Sequence, residues 1–175
     1  MVRWTEMTRE LQAESDRGCI LVGASVLEVY LEELLRTALV VDTHIAKHAV
    51  EPLLQTMGPL STFSAKIKLA YGLGLITKIE FSNLEKIRGI RNIASHVHSS
   101  TTFDSRKILE INRTLDTSLS EPSTELLSLL DPNNSLIERS RFIVAVVFAV
   151  ITLESRIKRL MRRTVKVRAK AEEAK

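Results

Sequence analysis

The sequence predicts an all-α protein, a single-domain helical bundle of about six to eight helices. Three observations predict it. Apolar residues recur at three- and four-residue spacing over long stretches, and no stretch alternates at the period of a strand. Glycine (6) and proline (4) are few in 175 residues, which favours long helices over a turn-rich β fold. The clearest breaks, G-P-L at 58–60 and D-P-N-N at 131–134, fall where one helical pattern stops and the next restarts.

Taken in order, Thr5 is placed to cap a first amphipathic helix with Met7, Leu11 and Ala13 inward. Asp16 opens a stronger one, whose Ile20, Ala24, Leu27, Leu31, Leu34, Leu35 and Ala38 follow a core-facing rhythm. Gly18 and Gly23 predict close helix–helix approach, and Glu28, Glu32 and Glu33 fall toward water. Asp42–Lys47 reads as a polar break and His48–Gln55 as a short helix or turn. Pro59 suits a first helical turn, with Ser61 or Thr62 as the cap of the next helix. There Phe63, Ile67, Tyr71 and Leu75 form the stripe, widened by Leu69, Ala70 and Leu73, while Gly72 and Gly74 predict tight packing or fraying at its end. Thr77, with Glu80 three residues on, predicts a capping box for the helix carrying Leu84–His98. Ser99–Thr102 is a turn, Phe103 an anchor onto the core, and Asp104 the cap of a helix with Ile108, Leu109, Ile111 and Leu115. Glu121–Pro122 and Asp131–Asn134 bracket the leucine-rich 126–130, and Asn134 or Ser135 opens the last helix.

Composition narrows the class. Apolar residues make up 45% and charged residues 26%, as in ordinary soluble globular domains, and the length suffices for one sizeable core. One cysteine, Cys19, excludes an internal disulfide framework and suits a reducing cytoplasm; in its apolar run it reads as a small core residue. The opening M-V-R-W-T-E-M-T-R-E has no apolar h-region, so no signal peptide is expected. The longest largely apolar run, Phe142–Leu153, has 12 residues, Thr152 among them, where a spanning helix needs roughly 20, which predicts a buried helix and no membrane span.

The net charge of +4 is uneven: residues 155–175 carry +7 and residues 1–154 carry −3. The expected organisation is a helical bundle domain over 1–154 and a basic C-terminal helix end or tail over 155–175. A solvated helix end is the plainest reading of that tail. Its Arg159, Arg162, Arg163 and Lys166 are also candidates for non-specific, salt-dependent contact with nucleic-acid phosphates. A partner or an anionic membrane surface is a third reading, and the lack of aromatics there gives base stacking no support.

The candidate polar centre is Leu84–His98, L-E-K-I-R-G-I-R-N-I-A-S-H-V-H. Its apolar positions Leu84, Ile87, Ile90, Ala94 and Val97 lie beside a seam of Arg88, Arg91, Asn92, Ser95, His96 and His98. Structurally, Arg88, Arg91 and Asn92 would bond acidic partners and loop carbonyls inside the bundle, and His96 and His98 would cap a helix C-terminus. Functionally, they form a binding site or a catalytic one. Elsewhere, His44 and His48 have i,i+4 spacing but no H-E-x-x-H arrangement, and G-L-G at 72–74 lacks the context of a phosphate loop. No metal and no cofactor is expected.

Residues 49–76, A-V-E-P-L-L-Q-T-M-G-P-L-S-T-F-S-A-K-I-K-L-A-Y-G-L-G-L-I, resemble the signature block of the bacterial mannitol operon repressor family. There an A-V-x-P-L-L … G-P-L segment leads into a K-L-x-Y-x-L-G-L-I helix. The D-R-G … L-E-x-x-L-x-x-L-L helix and the R-x-x-R-N … H … F-D stretch at 88–104 resemble the same family, so the resemblance covers roughly residues 15–110. It implies an all-helical transcriptional regulator, without a helix-turn-helix, that acts through another protein such as transcription machinery or a regulator. The chain itself offers no helix-turn-helix pair with an exposed recognition helix.

Arg91-Asn92-Ile93-Ala94-Ser95-His96 also resembles the R-N-x-x-x-H motif of HEPN domains, small helical bundles whose active members cleave RNA, usually across a dimer interface. That resemblance implies Arg91 on phosphate charge, His96 as general acid or base, and Asn92 orienting it. On a regular helix Arg91 and His96 stand about 140° apart. The reading therefore requires a helix broken near Ser95 or a second subunit. The leading expectation is a cytoplasmic regulator, homodimeric, that binds a protein and has no chemistry of its own. A HEPN-type ribonuclease is the alternative, and an assembly protein with apolar dimer faces a third.

Overall fold

The computed structural model describes residues 2–40, 42–96, 101–117 and 137–173, the side chains at 2, 3, 43 and 163–173 excepted. The described residues form helices α1 (Val2–Ala13), α2 (Asp16–Leu39), α3 (Thr43–Ile45), α4 (Glu51–Leu54), α5 (Phe63–Gly72), α6 (Lys78–His96), α7 (Arg106–Asn112) and α8 (Ile137–Glu173). A π turn, Ala46–Val50, joins α3 to α4, and no strand occurs among the described residues. The fold is all-α, as the apolar spacing predicts. Val97, His98, the leucine-rich 126–130 and the expected start of the last helix at Asn134 or Ser135 lie outside the described residues.

The chain divides into two compact units, one of Met1–Leu27 with Lys78–Ile151, the other of Glu28–Thr77 with Thr152–Lys175. Long helices α2 and α8 each give one part to either unit.

In the first unit the core is Leu11, Ile20, Ala24 and Leu27 with Leu84, Ile87, Ile90, Ala94, Ile108 and the run Phe142–Val147, all buried. Each fully buried Leu, Ile or Phe stabilises the fold by about 1.5–3 kcal/mol. Phe103 is the expected anchor, buried with its ring 5.4 Å from that of Phe142. Of the two glycines of α2 expected to permit close approach, Gly23 does: a Cβ there would lie 3.1 Å from Phe142 Cε1 and 3.3 Å from Val146 Cγ2. At Gly18 a Cβ would meet only the Glu14 side chain.

Polar side chains close this unit's irregular segments. Arg139 of α8 binds Asp16 Oδ1 at 2.7 Å and donates to Leu11 O at 2.8 Å, Gln12 O at 3.0 Å and Glu14 O. It thereby satisfies carbonyls freed where α1 ends. Asp16 Oδ2 accepts from Phe103 N at 3.1 Å. Asn83 of α6 clamps Asp116 through both halves of its amide, donating to the carbonyl at 2.7 Å and accepting from the N–H at 3.0 Å. Fully buried Asn112 donates to Glu138 O at 2.7 Å and Oε2 at 3.1 Å.

Several boundaries differ from the expectations. Helix α1 is already formed at Val2, so Thr5 lies inside it. Ser105, not Asp104, stands at the N-cap position of α7, and its Oγ accepts from Thr102 N at 3.2 Å instead of capping the helix. In the second unit the expected polar break at 42–47 is wound, because Asp42 Oδ1 accepts from Ile45 N at 2.9 Å. Thr62, one of the two expected caps, does cap α5, accepting from Ala65 N at 3.2 Å. Pro59 precedes that helix instead of starting it.

The core of the second unit is Leu31, Leu34, Leu35, Val50, Leu54, Phe63, Ile67, Ala70, Ile76, Leu153 and Ile157. Tyr71 and Leu73 were expected in it but are 41% and 47% exposed. The inward position between Phe63 and Ala70 is taken by Lys66, which is buried and reaches Glu28 and Glu32 of α2. Of the three glutamates expected to face water, Glu33 does; Glu28 and Glu32 are half-buried partners of that lysine.

Helix α5 ends in a left-handed turn at Gly74, φ 67°. Leu75 N donates to Ala70 O and Gly74 N to Tyr71 O, both at 2.9 Å, the bond pair of a Schellman cap. A side chain at Gly74 would be strained by that φ. Gly72 has nothing near it, so the expected tight packing is absent there.

Candidate functional site

Helix α6 holds the seam in place by its buried edge. Leu84, Ile87, Ile90 and Ala94 face the core of the first unit, and α7 packs on α6, so the polar residues between them are turned outward. Arg88 is engaged on its own helix, with Nη2 2.7 Å and Nε 3.2 Å from Glu85 Oε2. The Ser95 hydroxyl turns back to the helix, 3.0 Å from both Arg91 O and Asn92 O. Arg91 and Asn92 are half-buried and His96 is exposed; none of the three makes a side-chain hydrogen bond or ion pair among the described residues. Internal bonding therefore accounts for Arg88 and Ser95 but not for Arg91, Asn92 and His96.

Helix α6 is regular through His96, so the break near Ser95 that the ribonuclease reading needs within one chain is absent. On that helix Arg88, Asn92 and His96 share one stripe and Arg91 and Ser95 another, with Arg91 and His96 about 140° apart. The geometry of one chain does not support RNA cleavage. His98 lies outside the described residues.

On α8, Arg159 and Arg162 are exposed, while Lys158 is tied to Glu154 at 2.7 Å. The side chains of Arg163 and Lys166 lie outside the described residues. The sequence reading missed Arg156, one helical turn before Leu160. Its Nη1 donates to Leu75 O at 2.6 Å, just beyond the Schellman cap. A basic residue three and four places from apolar ones on a half-buried helix face was the available signal.

Other reactive side chains are accounted for. Burial pushes the Cys19 thiol up to about 12, against the charge of Arg139, so it stays protonated and inert at neutral pH. His44 and His48 stack edge to face with centroids 4.3 Å apart. Among the described residues no three His, Cys, Asp or Glu side chains gather as metal ligands, and no helix is long and apolar enough to cross a membrane.

Fold and site together define an all-α protein whose α6 carries Arg91, Asn92 and His96 with no side-chain partner among the described residues. The chain belongs to the mannitol repressor family, whose model matches residues 7–166. It is 38% identical over 68 residues to the mannitol operon repressor of Escherichia coli strain K12, and equally to that of strain O6:H1 (CFT073). That match takes in 39% of this chain and 35% of each relative, so it spans about a third of their length. In solved structures the fold is similar to a chain of the X-ray structure of the MtlR–HPr complex from Escherichia coli, with TM-score 0.61, 24% identity, and coverage of 91% of this chain and 99% of that one. It is also similar to a possible transcriptional regulator, YggD, from Shigella flexneri 2a strain 2457T, with TM-score 0.60, 20% identity, and coverage of 89% and 96%. At these identities the two structures show a shared fold.

Proposed function

We propose that this chain is a transcriptional regulator of the mannitol-repressor type, acting in the cytoplasm by binding another protein, with no chemistry of its own. The family match over residues 7–166 carries the reading, because it includes the whole of α6 and its seam. The similar Escherichia coli structure holds MtlR in complex with HPr, which makes HPr the first partner to test. Arg91, Asn92 and His96 would form the contact. Groups without internal bonds are given to a partner at little cost, since no existing bond is broken first. Arg88, Ser95 and His98 would border that contact. Exposed Arg159 and Arg162, with Arg163 and Lys166 further along α8, would add salt-dependent attraction to an acidic partner or to nucleic acid. The working form would be a homodimer.

The test is calorimetric titration of the full chain with HPr from the same organism, beside transcript measurement in a strain lacking the chain. A saturable complex with Kd of about 10 μM or tighter, weakened by Arg91→Ala, is expected. Unchanged transcripts overturn the regulator. Altered transcripts with no complex at about 100 μM of each protein overturn HPr as the partner.

A further inference from the structure

Helix α3 and the π turn after it bring His44 and His48 side by side within the second unit. Ala46 N donates to Asp42 O at 3.0 Å, an α-helical bond, whereas Glu51 N donates to Ala46 O, one residue wider. Four residues of an α-helix overshoot one full turn by about 40°. The wider π winding reduces that overshoot, which turns His48 toward the line of His44. The backbone beneath the pair is held at both ends. Asp42 Oδ1 accepts from Ile45 N at 2.9 Å, and Val50 is buried in the core.

Both imidazoles are exposed, and neither makes a hydrogen bond or ion pair among the described residues. Their nitrogens are therefore free to take a ligand. Rotating a ring about its χ2 bond turns its nitrogens and leaves its centre nearly in place, and that torsion is soft. The centre-to-centre distance of 4.3 Å is thus the quantity that decides which ion fits. A metal 2.0–2.1 Å from a ring nitrogen lies about 3.2 Å from the centre of that ring. Two rings with centres 4.3 Å apart then subtend about 85° at one ion. Tetrahedral zinc requires centres about 5.2 Å apart. The observed spacing matches the right angle between neighbouring ligands of a tetragonal ion, and imidazole suits nickel and copper. Among the described residues no acid joins the pair as a third ligand, so the remaining positions on such an ion belong to water.

We infer that His44 and His48 chelate one divalent transition-metal ion of tetragonal preference, Ni2+ or Cu2+, on the open face of the π turn. Each histidine gives one nitrogen, and the turn sets the bite.

Calorimetric titration of the full chain, free of any histidine tag, with NiCl2 and with ZnCl2 tests the inference. The expected result is one Ni2+ per chain, bound at least about threefold tighter than Zn2+. His44→Phe and His48→Phe each keep an aromatic ring in the stacked pair and remove a ligand. Each should weaken Ni2+ at least about tenfold, because the second nitrogen no longer binds at high effective concentration. These are exposed positions, so the metal-free melting temperature should stay in place. His96→Phe, at an exposed histidine on α6, should not weaken Ni2+. Electron paramagnetic resonance of the Cu2+-loaded chain should show two nitrogen ligands, and one after either substitution in the pair. Zn2+ bound as tightly as Ni2+ overturns the inference. So does binding that fails to saturate by about 1 mM, an equal loss from all three variants, or a Cu2+ spectrum of the parent with a single nitrogen.

Discussion

The ammonium of Lys66 lies 2.9 Å from Glu32 Oε2, with 6% of the lysine side chain and 29% of the glutamate open to solvent. Glu28 Oε1 completes the site at 3.1 Å from the same nitrogen. A lysine this buried loses most of its hydration, so two carboxylates on successive turns of α2 replace water around it. On the far side Glu32 also receives Arg36 at 3.0 Å. The chain of charges alternates in sign, and the most buried member has two partners.

Replacing Lys66 by Met keeps the volume and removes the charge. Glu28 and Glu32 would then lose their shared cation while remaining half-buried. Loss of one partner of a fully buried pair costs about 3–5 kcal/mol; here partial exposure of the glutamates reduces that to about 1–3 kcal/mol. Chemical denaturation of Lys66→Met, Glu32→Gln and the double variant would measure it, and the cycle should return positive coupling. Additive losses would mean that the pair contributes nothing. The same variants carry a pH signature. Burial alone would raise the Glu32 carboxyl, but hydrogen bonds from Lys66 and Arg36 and their charges outweigh it and hold it below its ordinary 4.5. With the folded value lowered, the unfolded chain binds more protons in acid. The stabilisation is therefore complete above about 4.5 and is lost as pH falls through the folded value. Lys66→Met should flatten stability against pH in that acid window and leave the slope near pH 7 unchanged.

Two helical glycines should respond with opposite sign. At Gly23 a methyl group would press on Phe142 and Val146 at 3.1 and 3.3 Å, and both neighbours are fully buried. Neither has room to yield, so overpacking of about 1–3 kcal/mol should exceed the gain in helix propensity of about 1 kcal/mol. At Gly89, in α6, the nearest atom to a new methyl is Ile111 Cδ1 at 3.9 Å, ordinary contact distance. Gly89→Ala should raise stability by about 0.5–1 kcal/mol. Paired thermal melts decide it; a Gly23→Ala protein as stable as the parent would mean that α2 and α8 part without penalty.

Arg139 is the closing residue of the first unit, with Asp16 and carbonyls of residues 11, 12 and 14 all on its guanidinium. Arg139→Lys keeps the charge but has no planar fork to serve several oxygens. A loss of about 2–3 kcal/mol is expected for Lys and more for Ala, because the Asp16 carboxylate and the carbonyls are then left unpaired. Hydrogen exchange should quicken first in residues 11–19. Equal stability of the Lys variant and the parent would show that charge alone suffices.

What the sequence made legible follows from what periodicity encodes. The buried faces of α2 and α6 were readable because Ile20 to Leu35 and Leu84 to Ala94 repeat at helical spacing. The family block at 49–76 led to the same family that the match over 7–166 establishes. Lys66 was not readable as a core residue, because a lone lysine in an apolar stripe looks the same whether it points out or in. Its partners lie 34 and 38 positions away on another helix. The bond from Arg156 to Leu75 O was hidden likewise, since a backbone carbonyl carries no residue-type signal. The seam of α6 was visible as a set of residues. Only the structure separates those bonded on their own helix, Arg88 and Ser95, from those left open, Arg91, Asn92 and His96.

That separation gives the last prediction. A side chain with no internal bond adds little to stability, so Arg91→Ala and His96→Ala should each leave the free energy of unfolding within about 0.5 kcal/mol of the parent. Arg88→Ala removes only a partly exposed pair to Glu85 on the same helix and should cost about 0.3–0.5 kcal/mol. If α6 is the partner-binding surface, Arg91→Ala should nonetheless lower affinity for the bound protein by about tenfold or more, as central arginines of interfaces do. Denaturation curves and calorimetric titration on the same preparations read the two effects separately. Affinity lost in step with stability would place Arg91 in the fold. Stability kept and affinity unchanged would move the contact off α6. RNA incubated with the parent and with the Arg91→Ala/His96→Ala double variant should stay intact in both. Metal-independent cleavage by the parent that disappears in the double variant would reverse the assignment, and would require the second histidine or arginine to come from another copy of the chain, because about 140° of regular helix separates the two within one.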